Sequence, residues 1–208
     1  VAAVLGVFFL WPMGLALQAA FTSPDAWRWL ADDYARGRIA GALLQAMLSL
    51  ALAFAVATPI ALVHLRWRIP GSRVLLAIHA GTFVLPVFVV VGGLRETIGT
   101  GGWLDRTAGL DILGAIGPWG AIPLANAYYN AGLAALLLHT VLERRPRRLE
   151  EAAATLGAPP SAVWARIAWP LLRPATLAAA LLVFLFCLGS FGVVLLLGDG
   201  LVDTLDTL

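Results

Sequence analysis

Long apolar stretches alternate with short polar ones along this chain. Charge-free or nearly charge-free runs occupy about 1–21, 40–63, 74–94, 119–142 and 175–197. Each meets the length of about 20 residues that an α-helix needs to cross a bilayer. In hydrocarbon a backbone must satisfy its own N–H and C=O groups, so runs of this length are predicted to be helices. Their wealth of Leu and Ala agrees with helix propensity. The pattern predicts an all-α, polytopic transmembrane bundle with about five spans. A cleaved signal peptide is the rival for the first run, but the stretch exceeds a usual signal core.

Composition strengthens this picture. The 208 residues are 61% hydrophobic and 12% charged, with a mean hydropathy of +0.88, whereas soluble domains are roughly 45–50% apolar. All 14 basic residues are Arg. Without a Lys the chain has no lysine-bearing phosphate loop and cannot be its own P-loop ATPase. The single cysteine, Cys187, provides neither a disulfide framework nor a metal cluster. The net charge of +2 does not suggest nucleic acid.

Arginine placement predicts orientation, because basic residues are retained on the cytoplasmic side. Putting 65–73 and 143–174 inside collects nine of the arginines, among them Arg145 and Arg166, and leaves five outside. Trp27, Trp29, Tyr34 and Trp103 then fall in outer loops, where an aromatic belt is expected. The C-terminus is expected outside. Pro12, Pro59, Pro86 and Pro123 lie in or beside spans and are expected to bend helices that neighbours then cover. The whole of 1–208 reads as one transmembrane domain, with 143–174 as its longest inner loop.

That loop is the least membrane-like part of the chain. Glu150 and Glu151 open a short helix where carboxylates complement the macrodipole, and Gly157 followed by Pro159-Pro160 ends it. Leu149, Ala152, Ala153 and Leu156 fall at i, i+3, i+4 and i+7, a narrow ridge whose alanines admit a partner backbone. A second short helix is expected from Ser161 to Pro170, with Pro174 starting the last span. A helix lying on lipid would instead show a large apolar face and basic flanks.

Glu151-Ala152-Ala153, three residues, Gly157, nine residues, Ile167, then a bulky residue before Pro170 resembles the EAA loop of permease subunits of bacterial ABC importers. Trp169 stands where the general pattern prefers Leu, as in the thiamine and ferric-iron branch. Residues 42–71, Leu85-Pro86 with Gly102-Trp103-Leu104, Tyr128-Tyr129-Asn130 and 190–200 resemble the same branch. The resemblance implies that Glu151 makes a polar contact with a cytoplasmic ABC ATPase dimer, that Ala152 and Ala153 pack closely on it, and that Gly157 makes the turn. It also implies a second permease half (identical, related or fused), a periplasmic substrate-binding protein, and residence in the bacterial inner membrane among its lipids. ATP and magnesium belong to the ATPase partner, and no cofactor is expected on this chain. Family halves have six spans, so the sixth is expected outside this segment. Thiamine is the leading cargo and ferric iron the alternative.

Polar groups inside spans are costly and often line pathways. Asn126, Tyr128, Tyr129 and Asn130 in the fourth run and Gln45 and Ser49 in the second are the candidates, with interhelical hydrogen bonding as the competing role. Aromatic rings there are compatible with a passing cation. Ala131-Gly132 replaces the apolar-Pro pair usual beside the family's Asn. His64, His79 and His139 lack metal-ligand spacing, and no Ser-His-acid set or paired buried carboxylates support catalysis. An ion-driven secondary transporter is the rival from another class. It normally carries ionisable residues inside its spans, and these runs hold essentially none.

Overall fold

The computed structural model describes residues 11–22, 32–66 and 71–198. All regular structure among them is helical. The first ten residues of the first run, Trp27, Trp29, the 67–70 part of an inner loop and the C-terminal 199–208 lie outside the described residues. The chain divides into two compact units, Val1–Gly41 and Ala42–Leu208.

The first unit contains α1 (Trp11–Thr22) and the start of α2 (Asp33–Arg66). Asp32 caps α2, its carboxylate accepting the Tyr34 N–H at 3.2 Å, one of the donors every helix start leaves unpaired.

Among the described residues three helices are long and apolar enough to cross a membrane: Asp33–Leu65, which begins in the first unit and continues in the second, and Ile112–Glu143 and Pro160–Leu188 of the second. A fourth exists if the bent pair Val74–Val84 and Val87–Ala108 counts as one span. The third apolar run is therefore not one straight helix. Its first part, α3 (Ser72–Gly81), tightens into a 3₁₀ turn at Thr82–Val84 before α4 (Val87–Ile98), and the bent pair turns by 100°. The cause is local: Leu85 precedes Pro86 and sits at φ −63, ψ 140, because the proline ring excludes the helical conformation for the residue before it.

Helix α5 (Trp103–Ala108) leads to α6 (Ile112–Glu143), kinked at Gly117 (φ 62, ψ −177) next to Pro118. Helix α6 is the centre of the unit: 67% of its most apolar window is buried, against 28% and 22% for the other two long helices. It straddles two apolar clusters. Ala127, Ala134, Ala135 and Leu138 pack with Ala46, Ala53, Ala57, Ala61, Leu76, Val183 and Cys187. Ala121, Ile122 and Ala125 pack with Val91, Leu113, Val193, Val194 and Leu197.

On α2 the buried positions are small (Ala42, Ala46, Ser49, Ala53, Ala57, Ala61), whereas Leu44, Met47, Val56 and Leu62 are exposed. This is the membrane pattern, in which small side chains let backbones approach and large apolar ones face lipid. Gly132 serves the same end on α6. A Cβ there would come 1.7 Å from the His79 carbonyl oxygen of α3, so this glycine admits a neighbouring backbone, and the helix continues through it without a break.

The final elements differ from expectation in two ways. The helix beginning after Pro159 does not stop at Pro170; α8 runs from Pro160 to Leu188 as one element. A π-helical turn over Trp164–Ala168, in which Trp169 N–H reaches the Trp164 carbonyl, widens the coil before Pro170. One such turn accommodates a proline that would otherwise clash with the preceding carbonyls. The last apolar run is also broken: α8 ends at Leu188, and α9 (Phe191–Leu197) begins after Gly189-Ser190.

Candidate substrate pathway and coupling helix

Two helix breaks meet beside α6, and each leaves carbonyls that lack an intrahelical partner. At the end of α8 the Cys187 carbonyl accepts Gln45 Nε2–H at 2.9 Å and the Ser190 hydroxyl at 2.8 Å. At the other break the Leu85 carbonyl accepts the Tyr129 hydroxyl at 2.9 Å. Asn126 knits the junction together. Its Nδ2 donates to Ser190 Oγ at 2.9 Å and to Gln45 Oε1 at 3.2 Å, with Ser49 Oγ at 3.4 Å. Ser49 in turn donates to the Gln45 carbonyl at 2.6 Å. Gln45, Ser49, Asn126 and Asn130 are all at most 2% exposed. A buried polar group is tolerated only when paired, and these residues pair mainly with one another and with the broken helix ends.

Asn130 is the exception. Its Nδ2 donates to the Asn126 carbonyl at 2.9 Å, which fixes the amide orientation, yet its buried Oδ1 has no partner. The side chain lines a cavity of about 300 Å³ whose other walls include Phe83, Asn126, Tyr129, Phe186, Ser190 and Phe191. Phe83 packs against Tyr129 and Phe186 with centroids 5.5 and 4.7 Å apart.

Of the residues singled out in the sequence, Asn126, Tyr129 and Asn130 line this cavity. Gln45 lies outside its lining in the adjoining network. Tyr128 is half exposed and lines a separate cavity with Leu85, Val89 and Thr97. Sequence reasoning missed Phe83, Phe186, Ser190 and Phe191, although Leu85-Pro86 and Gly189-Ser190 mark the breaks that gather them.

The second candidate region is α7 (Arg147–Thr155) and the turn into α8. Helix α7 ends in a Schellman arrangement: Gly157 N–H bonds to the Ala154 carbonyl at 3.0 Å and Ala158 N–H to the Ala153 carbonyl at 3.1 Å. Gly157 sits at φ +83, the left-handed conformation that favours glycine at this position. The helix is turned so that Glu150, only 18% exposed, faces Arg145 at 3.7 Å. A groove of about 380 Å³ runs beside it, lined by Arg145, Glu150, Glu151, Ala154, Val163 and Trp164 among others. Leu149 and Leu156 face away, 55% and 89% exposed, and Glu151 and Ala152 are also exposed, while Ala153 is half-buried. Apart from Ala153, the apolar ridge read from the sequence is therefore left open by the described residues.

The histidines are less scattered than their sequence positions. His64 lies 6.0 Å from His79 and 6.5 Å from His139 by ring centroids. No group of three or more His, Cys, Asp or Glu among the described residues is placed to hold a metal.

The same chain segment recurs in known transport proteins. It is 34% identical over 172 residues, 81% of this chain and 32% of the relative, to the thiamine transport system permease protein ThiP of Escherichia coli strain K12. It is 34% identical over 178 residues, 84% of this chain and 33% of the relative, to ThiP of Haemophilus influenzae. A probable sulfate transport system permease protein of Nephroselmis olivacea matches at 32% over 143 residues, 68% of this chain and 50% of that protein. The chain belongs to this transport-permease family. No protein-family model matches it. As a member of the permease family it spans about a third of the length of the ThiP relatives. The resemblance first read from the loop at Glu151 thus extends over most of the chain.

Proposed function

We propose that this chain is part of the membrane-spanning permease of a binding-protein-dependent ABC importer in the bacterial inner membrane, and that thiamine is its cargo. The observation that carries the coupling role is α7. A short helix between two long spans leaves Leu149, Ala152 and Leu156 uncovered, and it ends in a glycine-dependent turn that runs directly into α8. In this reading the ridge docks into a cytoplasmic ABC ATPase dimer that binds ATP and magnesium. Glu151 makes the polar contact, Ala152 and Ala153 the close packing, and Gly157 sets the angle between α7 and α8. Because α8 is one element from Pro160 to Leu188, a push on α7 is delivered to the break at Gly189-Ser190 beside Asn126.

The transport path in this reading runs past Asn126, Tyr129 and Asn130, with Gln45 holding the path's wall. Tyr128 contributes from the neighbouring cavity. The loop 143–174 faces the cytoplasm, a soluble binding protein delivers cargo from the periplasmic side, and a second permease half completes the conduit. The thiamine-named relatives support the cargo, and so do the ring-rich, uncharged walls, which offer few ligands for ferric iron or for an anion such as sulfate.

The test is uptake by the full importer carrying Glu151→Lys or Gly157→Asp. Membrane insertion is expected to be normal, while co-purification with the ATPase and uptake both fall at least tenfold. Normal uptake in both variants would refute the coupling role. Labelling of single cysteines at positions 145 and 166 checks the orientation, since only cytoplasmic reagents are expected to reach them.

A further inference from the structure

Helix α7 holds a defined pose without a packed core to set it. None of its residues is buried. It rests on the first turns of α8, but a groove of about 380 Å³ lies between the two, lined by Glu150, Glu151 and Ala154 on one side and by Pro160, Val163 and Trp164 on the other. Burial of an apolar face, which orients most helices, therefore contributes little here. What fixes α7 sits at its two ends.

At the C-terminal end the Gly157 turn sets the angle to α8. At the N-terminal end the link from α6 is short, Arg144 to Pro146, and the Pro146 carbonyl accepts the Leu149 and Glu150 N–H groups at 2.9 and 3.1 Å. These backbone bonds start the helix but do not by themselves set its roll about its own axis. Glu150 supplies that constraint by reaching back over the link: its Oε1 lies 3.7 Å from Arg145 Nε. Both atoms are sealed from solvent, and neither makes a hydrogen bond. Exposed ion pairs are worth little, whereas separating a pair whose facing atoms are sealed leaves each charge short of a partner. One residue is about 100° of helix rotation, so holding Glu150 inward turns Leu149, Ala152 and Leu156 outward, as observed.

We infer that the Arg145–Glu150 pair is a latch that fixes the roll of α7, which makes both side chains positioning residues for coupling to the ATPase. The inference rests on the coupling reading above and extends it to two residues that act through α7 instead of touching the ATPase. With the latch open the ridge still docks, because its own residues are intact. The push is then absorbed by rolling α7 and reaches α8 incompletely.

The full importer in proteoliposomes, with its ATPase and binding protein, tests the latch through the ratio of ATP hydrolysed to thiamine taken up. Arg145→Gln and Glu150→Gln are each expected to raise that ratio about fivefold, the scale on which single residues modulate coupling between sites, with co-purification of the ATPase unchanged. Arg145→Lys keeps the charge and is expected to stay near the wild-type ratio. Residues that act as a unit are non-additive, so the double variant Arg145→Gln/Glu150→Gln is expected to be no worse than either single one.

A wild-type ratio in both Gln variants overturns the latch, as does an additive loss in the double variant. Equal falls in ATP hydrolysis and uptake, which leave the ratio unmoved, also overturn it, because a merely structural role would act that way. If the Gln variants couple normally while Glu151→Lys abolishes uptake, the latch falls and the coupling role of α7 stands. If Glu151→Lys and Gly157→Asp both transport normally, the coupling role falls and takes the latch with it.

Discussion

The junction around Asn126 and the ridge on α7 invert each other. At the junction polar side chains are buried in an apolar helical unit, and nearly every one has a partner. On α7 apolar side chains stand in the open with none. Each departs from the rule for its surroundings, and the sense of the departure indicates the cause. Buried amides and hydroxyls repair helix ends that the fold has broken, whereas the leucines on a charged helix, uncovered by the described residues, are where the proposed docking surface lies. Asn130 Oδ1 joins the two classes: it is buried like the first and unsatisfied like the second.

Several substitutions would sharpen or break this contrast. The largest effect is expected from Gly132→Val, which belongs to the packed side. Its Cβ would meet the His79 carbonyl at 1.7 Å, a backbone atom that cannot step aside cheaply, and overpacking of this kind costs about 3 kcal/mol. A large drop in detergent melting temperature and in yield is expected; a stable Gly132→Val protein would mean that α3 and α6 do not lie this close.

Gln45→Leu comes next. It removes one of the two donors to the Cys187 carbonyl and an acceptor for Asn126, and hydrogen bonds between membrane helices are worth on the order of 1 kcal/mol. A melting temperature lowered by a few degrees is expected, with ATPase association unchanged. Leu156→Ser is its mirror image: because the side chain is 89% exposed, stability should not move, while ATPase association weakens severalfold. If Leu156→Ser destabilises the isolated permease, the ridge is covered from within and the contrast fails.

The smallest effect is electrostatic. Asp111 caps α6, its carboxylate accepting Thr100 Oγ1–H at 2.6 Å and Gly114 N–H at 2.7 Å. These bonds, the Thr100 hydroxyl first, hold its pKa below the ordinary 3.8. A group depressed in the folded state contributes stability that is fully present above its unfolded pKa and lost as the pH falls through the folded one. A slight loss confined to pH below about 3.8 is therefore expected in acid-melting curves, and Asp111→Asn should flatten that part; an identical acid profile in the variant would remove Asp111 from the account.

Much of this was legible in the chain. Apolar runs of span length gave helices, and the ridge, Gly157 and Pro160 marked α7 and its turn, because helix caps are written in a few consecutive residues. The same local logic identified Asn126, Tyr129, Asn130 and Gln45 as polar groups in apolar runs. It failed where continuity depended on neighbours. The run at 74–94 looked like one span, although Leu85-Pro86 turns it sharply, and the run at 175–197 hid the break at Gly189-Ser190. Conversely Pro170 looked like a stop, and a π turn carried the helix past it.

By itself, then, the sequence determined the helical class, the exposed amphipathic helix with its glycine turn, and the polar residues that the bundle must accommodate. These follow from hydropathy and from hydrogen bonds spanning a handful of positions. Only the tertiary structure decided which breaks were real and which of those residues share a cavity. A released carbonyl is tolerable only when a distant side chain reaches it, as Gln45 reaches Cys187, and such pairings across 142 residues leave no periodic trace in the chain.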